Sequence, residues 1–386
     1  MNVSILGVST TAFGELWEVS PRAMAHQVVD DTLAQSHLKK SDIDVVFVGN
    51  MLSGMLGGQE NVGAFFTSEL GMNCAAFKIE GACASGGLAV HAGVNAISSG
   101  SYRNALVIGI EKMTDYNPSE VANALMGAGS DEERKAGLTF PGLYALMARS
   151  YMKRYGASER DLAGVSVKNH FHATLNPNAQ FQFPLTIEKV LKSSCVADPL
   201  KLFDCSPISD GCAALVLTNN EHAQKLHSQP IAVLGSAVAT DTLSLADRFD
   251  LTTLKSACLA SQKAYQQAGI VPSRIDVAEV HDCFTIAELI ALEDLGFAPR
   301  GKSGALVQSG AFTLGTKEKG YPVVNTSGGL KACGHPVGAT GVKQIVEIVT
   351  QLRGGAGKRQ VEGAKIGLTH NVGGSGAVAV VHILSV

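Results

Sequence analysis

Apolar residues fall along this chain in two kinds of run. Short blocks such as residues 3–8, 45–48 and 377–381 are strand-sized, while mixed stretches such as 21–37 and 255–268 read as helices. Strands that carry apolar residues on both faces are covered on both faces, and helices do the covering. The order strand, helix, strand, Gly-rich turn, helix, strands predicts an α/β fold with a mostly parallel sheet.

That order occurs twice. Val3-Ser4-Ile5-Leu6-Gly7 resembles Ile231-Ala232-Val233-Leu234-Gly235, an offset of 228 (231 − 3). Ser41-Asp42-Ile43-Asp44-Val45 resembles Ser273-Arg274-Ile275-Asp276-Val277, an offset of 232 (273 − 41). Ala84-Ser85-Gly86 pairs with Ala339-Thr340-Gly341, at 255 (339 − 84), in preference to Thr326-Ser327-Gly328, because a helical run follows both Gly86 and Gly341. Gly211-Cys212-Ala213-Ala214 resembles Gly376-Ala377-Val378-Ala379 at only 165 (376 − 211). Two halves are expected, 1–228 and 229–386, the first carrying an insertion at about 116–200. This insertion holds the polar, irregular stretches 127–137 and 176–183 and reads as a lid or substrate-binding subdomain.

From Gly81 to Tyr102 there is no Asp, Glu, Lys or Arg. A helix without a charged face is buried on all sides, so a helix at 86–99 belongs in the middle of the molecule, with Cys83 just before its start.

Composition then narrows the classes. The 386 residues exceed what one core usually serves, and 46% hydrophobic with 17% charged residues suits a compact globular protein. A net charge of −3 gives no global reason to bind nucleic acid or anionic membrane, and no apolar run spans a bilayer. The first run has no basic leader and the last residues, Ile383-Leu384-Ser385-Val386, are no peroxisomal address, so a cytoplasmic location is expected. None of the eight cysteines forms a Cys-x-x-Cys pair, which argues against a zinc ribbon.

Four short segments carry chemistry. In Glu80-Gly81-Ala82-Cys83-Ala84-Ser85-Gly86-Gly87, a thiol at a helix N-terminus meets unpaired N–H groups and the positive end of the dipole. Such sites can lower a thiol from about 8.5 to roughly 3.5–7.5; taken alone, the segment equally fits a buried Cys at a small-residue packing site. Gly334-His335-Pro336-Val337-Gly338 places His335 at a second helix start, with Pro336 at its first position. Pseudo-twofold packing would bring Cys83 and His335 to one cleft, the minimum for an activated thiol. Val280-His281-Asp282-Cys283-Phe284 ends an apolar strand, where ligands of α/β sheets gather. There His281 could donate to an oxygen and Cys283 shuttle a proton; alternation makes a metal site of His281, Asp282 and Cys283 a poor fit. In His370-Asn371-Val372-Gly373-Gly374, glycines allow a tight turn with N–H groups facing an oxyanion. No phosphate-cradling or dinucleotide motif is present.

Taken in this order, the four segments resemble the thiolase superfamily over essentially the whole chain. The resemblance implies a duplicated five-layered αβαβα fold with pseudo-twofold halves, CoA thioesters as substrates and no cofactor or metal. It implies that Cys83 is acylated, that His335 activates it, and that the N–H groups of Cys83 and Gly373 form an oxyanion hole, with His370 and Asn371 lining the site. Two departures narrow it: His281-Asp282-Cys283-Phe284 replaces the common Asn-Glu-Ala-Phe, and Asn371-Val372-Gly373 lacks the cysteine of Cys-x-Gly. The first is similar to sterol-carrier-protein-type thiolases and implies that Cys283 supplies the missing acid/base. Phe140-Pro141-Gly142-Leu143-Tyr144 and Asp204-Cys205-Ser206-Pro207 look like archaeal-type acetoacetyl-CoA thiolases. That likeness implies acetyl-CoA, acetoacetyl-CoA and CoA as ligands and a homodimer or homotetramer on the mevalonate route. A complex with hydroxymethylglutaryl-CoA synthase through a small bridging protein would follow. A ketoacyl synthase, a longer-chain 3-ketoacyl-CoA thiolase and a non-catalytic acyl-CoA-binding scaffold are the alternatives.

Overall fold

The computed structural model describes residues 1–226, 229–315 and 320–386. The strands are β1 (Ser4–Thr10), β2 (Val45–Gly49), β3 (Ala75–Ile79), β4 (Asn104–Glu111), β5 (Cys195–Ala197), β6 (Leu200–Lys201), β7 (Gly211–Thr218), β8 (Ile231–Thr240), β9 (Val277–Glu279), β10 (Val323–Val324), β11 (Ile366–Gly373) and β12 (Val378–Ser385). β5 and β6 pair only with each other. The other ten run in the order β10-β9-β11-β12-β8-β1-β7-β4-β2-β3.

Read outward from the β1–β8 junction, the two sides are the same arrangement: first, fifth, fourth, second and third strand of each half. β2 is parallel to β3 and β4, as β9 is to β10 and β11, and β7 and β12 each run antiparallel to both neighbours. The sheet is therefore mixed rather than mostly parallel. Apolar runs buried on both faces do not reveal direction, and this is why the sequence pattern misled. The register also corrects one match. Ser4 faces Thr218 and Ala232 faces Ser385, so β7 and β12 correspond at 167 (385 − 218), two residues from the match by sequence. A shift of two keeps every side chain on its own face, so the apolar pattern could not resist it. The expected boundary falls at residue 228, which lies outside the described residues.

Helix Pro21–Ser36 packs on β1 and β7, and helix Lys255–Ala268 packs on β8 and β12. Between the two halves of the sheet lie helices Ser85–Ser98 and Val337–Leu352, against each other and against strands on both sides. Helix, sheet, helix pair, sheet, helix makes five layers, as expected. The absence of charge in Ser85–Ser98 is explained by this position, its first two turns being almost wholly buried. Its partner does carry Lys343 and Glu347, each paired: Lys343 with Glu279 at 3.4 Å and Glu347 with Arg359 at 3.0 Å. The helices approach closely enough that a Cβ on Gly341 would lie 2.1 Å from the Gly87 nitrogen, so only glycine fits. No helix among the described residues is long and apolar enough to cross a membrane.

Candidate active site

Both central helices begin beside the same cavity. A short 3-10 turn, Ala82–Ala84, delivers Cys83 directly before Ser85–Ser98, and Ala82 takes a positive φ of 54° to make the corner. His335 precedes Val337–Leu352 with Pro336 as its N-cap, one residue earlier than the position expected. His281 follows the end of β9, beside Asn371 on β11. Cys83, His281 and His335 each place one sulfur or ring nitrogen within 4.8 Å of the others. The imidazoles meet edge to face, centroids 5.1 Å apart. Cys283 sits at the same cavity, a volume of about 200 Å³ with largely apolar walls.

Hydrogen bonds decide what each group can do. Thr340 Oγ1 donates to the Pro336 carbonyl, so at 2.7 Å it must accept from His335 Nδ1–H. That leaves His335 Nε2 with a lone pair and no partner among the described residues. Burial holds His335 down to about 3, so at neutral pH it is an uncharged base. His281 is likewise held well below its ordinary value by burial and by its two histidine neighbours.

The thiols behave otherwise than the helix-end argument expects. Burial pushes Cys83 up to about 12, and the carboxylates of Glu111 and Glu80 push the same way against a backbone N–H bond from Gly374. Desolvation outweighs the helix dipole here, so Cys83 rests as a thiol and needs His335 to take its proton. Cys283 is raised well above its ordinary value by burial and by the neighbouring Cys83, with the Tyr144 hydroxyl working against this.

Gly374, at the turn after β11, lies at the cavity beside Cys83, where its backbone N–H favours the thiolate; it directly follows Gly373, the residue expected to face the oxyanion. Gly373 packs on the Gly81 carbonyl, where a Cβ would lie 2.3 Å away. Asn371 binds both sides of the nucleophile's turn, with Oδ1 accepting from Gly87 N at 3.1 Å and Nδ2 donating to the Cys83 carbonyl at 3.0 Å. His281 and the expected lining residues His370 and Asn371 do not themselves line the cavity, and His370 is near enough to His281 to disfavour its charge. His370 is fully buried on the other face of β11, as strand alternation requires. Asp282 turns away from His281 as anticipated, accepting from Leu330 N at 2.7 Å and Asn169 Nδ2 at 2.7 Å to anchor the segment.

Tyr144 and Thr340 went unassigned in the sequence. Tyr144 stacks on Phe284 at 4.6 Å, donates to the Gly374 carbonyl at 3.0 Å and lies against Cys283. Its segment, Phe140-Pro141-Gly142-Leu143-Tyr144, stood out only by likeness. With Ala122 and Leu125, residues of 116–200 form one wall of the cavity. Glu111 is the other buried carboxylate nearby. It accepts from the backbone of Met51, Leu52 and Gly338, tying β4 to the His335 helix, and burial raises it to about 7.

Comparison with known proteins bears on this geometry. Residues 3–221 match the family described as "Thiolase, N-terminal domain", and residues 237–386 match "Thiolase C-terminal domain-like". An "Acetyl-CoA acetyltransferase" of Methanothermobacter thermautotrophicus is 46% identical over 100% of this chain and 99% of its own length. One of the same name from Methanocaldococcus jannaschii is 43% identical, also over 100% and 99%. Among solved structures, an "Ltp2-ChsH2(DUF35) aldolase" is similar with a TM-score of 0.84 and 25% identity, covering 100% of this chain and 97% of that one.

Proposed function

The chain belongs to the thiolase family, and from that premise we propose that it is an acetyl-CoA C-acetyltransferase, joining two acetyl-CoA into acetoacetyl-CoA and performing the reverse thiolysis. The observation that carries this is the convergence of Cys83, His335 and His281 within 4.8 Å, with Cys283 at the same cavity.

In the first half-reaction His335 Nε2 takes the Cys83 proton, and the thiolate attacks the acetyl-CoA carbonyl. The backbone N–H groups of Cys83 and Gly373 stabilise the charge on the carbonyl oxygen, while that of Gly374 favours the thiolate. As the bond to CoA breaks, Cys283 gives its proton to the departing sulfur and becomes a thiolate. In the second, that thiolate removes a methyl proton from a new acetyl-CoA, while His281 and the protonated His335 hydrogen-bond the enolate oxygen. The enolate carbon attacks acetyl-Cys83, and Cys83 leaves and recovers its proton from His335. The methyl proton replaces the one Cys283 gave to the departing CoA, and His335 returns the one it took from Cys83, so the cycle balances with the residues named.

Further parts of the reading rest on likeness to the archaeal relatives. The protein is a cytoplasmic homodimer or homotetramer on the mevalonate route, in contact with hydroxymethylglutaryl-CoA synthase through a small bridging protein; light scattering and co-purification test these. The activity itself is tested by CoA-dependent loss of acetoacetyl-CoA absorbance. It is expected in the wild type and reduced roughly 10⁴-fold or more in Cys83→Ala. Equal rates in both proteins would sink the assignment.

A further inference from the structure

Where related enzymes carry a second cysteine this chain has Asn371, and its hydrogen bonds determine which nitrogen of His281 carries the proton. An Asn amide has one accepting and one donating end, and its orientation has to be read from its neighbours. Here the backbone leaves no choice. Gly87 N–H can only donate, and it meets Oδ1 at 3.1 Å; the Cys83 carbonyl can only accept, and it meets Nδ2 at 3.0 Å. Turning the amide over would set donor against donor and acceptor against acceptor. Nor can the side chain swing away. It is 1% exposed and wedged between the central helices, with Oδ1 against Gly87 and Gly341.

The same Nδ2 lies 3.2 Å from His281 Nδ1. Since Nδ2 donates, Nδ1 must accept, and the ring proton of the neutral imidazole sits on Nε2. His281 Nε2 is buried with no hydrogen-bond partner among the described residues, on a ring that belongs to the cluster with Cys83 and His335. The two histidines are thus set in opposite states: Thr340 leaves His335 a lone pair, and Asn371 leaves His281 a proton.

We infer that Asn371 is a positioning residue that fixes His281 as a hydrogen-bond donor to the substrate oxygen. The inference rests on the thiolase reading for that oxygen, but the tautomer stands on geometry alone. Long-range ¹H–¹⁵N correlation spectra of the full-length, histidine-labelled protein read it directly. Nε2–H on His281 is expected in the wild type, and Nδ1–H would overturn the proposal whether or not the enzyme turns over acetyl-CoA.

Asn371→Asp supplies a second readout. Its carboxylate still accepts from Gly87 N, loses the bond to the Cys83 carbonyl and draws a proton onto His281 Nδ1. Neutral His281 then loses its Nε2 proton, and only the doubly protonated ring can donate. The variant's kcat for condensation should fall about 100-fold at high pH, as for loss of an oxyanion donor. It should recover as pH is lowered through the His281 pKa, with KM for acetyl-CoA changed less than about threefold. The wild type should show no such recovery. A loss independent of pH would mean that Asn371 is merely structural. Should the variant fail to fold by circular dichroism, the wild-type spectrum decides.

Discussion

The two halves share a strand order but join their fourth and fifth strands in different ways. In the second half, β11 reaches β12 through residues 374–377; in the first, β4 reaches β7 only after residues 112–210. The short connection brings Gly374 to the cavity beside the nucleophile. The long one returns over the site and contributes Ala122, Leu125 and Tyr144 to the cavity wall. The duplicated frame thus holds the reacting groups, and the insertion encloses them. Tyr144 is where the two meet, since it belongs to the long connection and bonds to the short one.

If that division is correct, substitutions in the frame should disable chemistry and those in the insertion should tune it. After Cys83→Ala, the largest effect expected is for Cys283→Ala. Removing a general acid/base should slow condensation by about 10²–10⁴-fold, while a radiolabelled acetyl group can still be transferred to Cys83. Condensation at the wild-type rate would contradict the role of Cys283 and reopen the ketoacyl synthase alternative.

Acid should act unevenly as well. Six histidines are buried uncharged in the insertion and second half: His170 at about 4, His172, His335, His370 and His382 at about 3, and His281 well below its ordinary value. Unfolded, each binds a proton near pH 6.5. Below that pH the unfolded chain gains protons the native one refuses, so stability falls by about 1.4 kcal/mol per pH unit per histidine. Glu111 and Asp282, both raised to about 7, work in the opposite direction down to their unfolded values but are outnumbered. Melting temperature should therefore decline from pH 7 to pH 5; a flat or rising profile would show that these rings are not buried neutral. The smallest effect expected is for Tyr144→Phe. Losing one buried hydrogen bond to Gly374 should lower kcat about tenfold or less, and no change at all would detach the insertion from the oxyanion site.

Much of this was legible before the structure. Helix Lys255–Ala268 is observed at the expected bounds, and the uncharged run 81–102 announced a central helix because burial on all sides disfavours unpaired charge. Cys83 and His335 could be placed at helix starts because Gly and Pro mark such corners. Strand direction was not legible, since β7 and β12 carry the same apolar residues whichever way they run. The thiol's proton affinity was not legible either. The sequence shows the helix end beside Cys83, but the enclosure that outweighs it comes from chain hundreds of residues away. His370 was nominated through its neighbour Asn371, although alternation along a strand sends the two to opposite faces.

The central claim is that Cys83 is the group acylated. Brief incubation with acetyl-CoA, acid quench and peptide mass spectrometry would test it most directly. The account predicts an acetyl group on the peptide containing Cys83, discharged by added CoA and absent from Cys83→Ala. An acetyl group found on Cys283 instead, or on no cysteine while turnover proceeds, would contradict it.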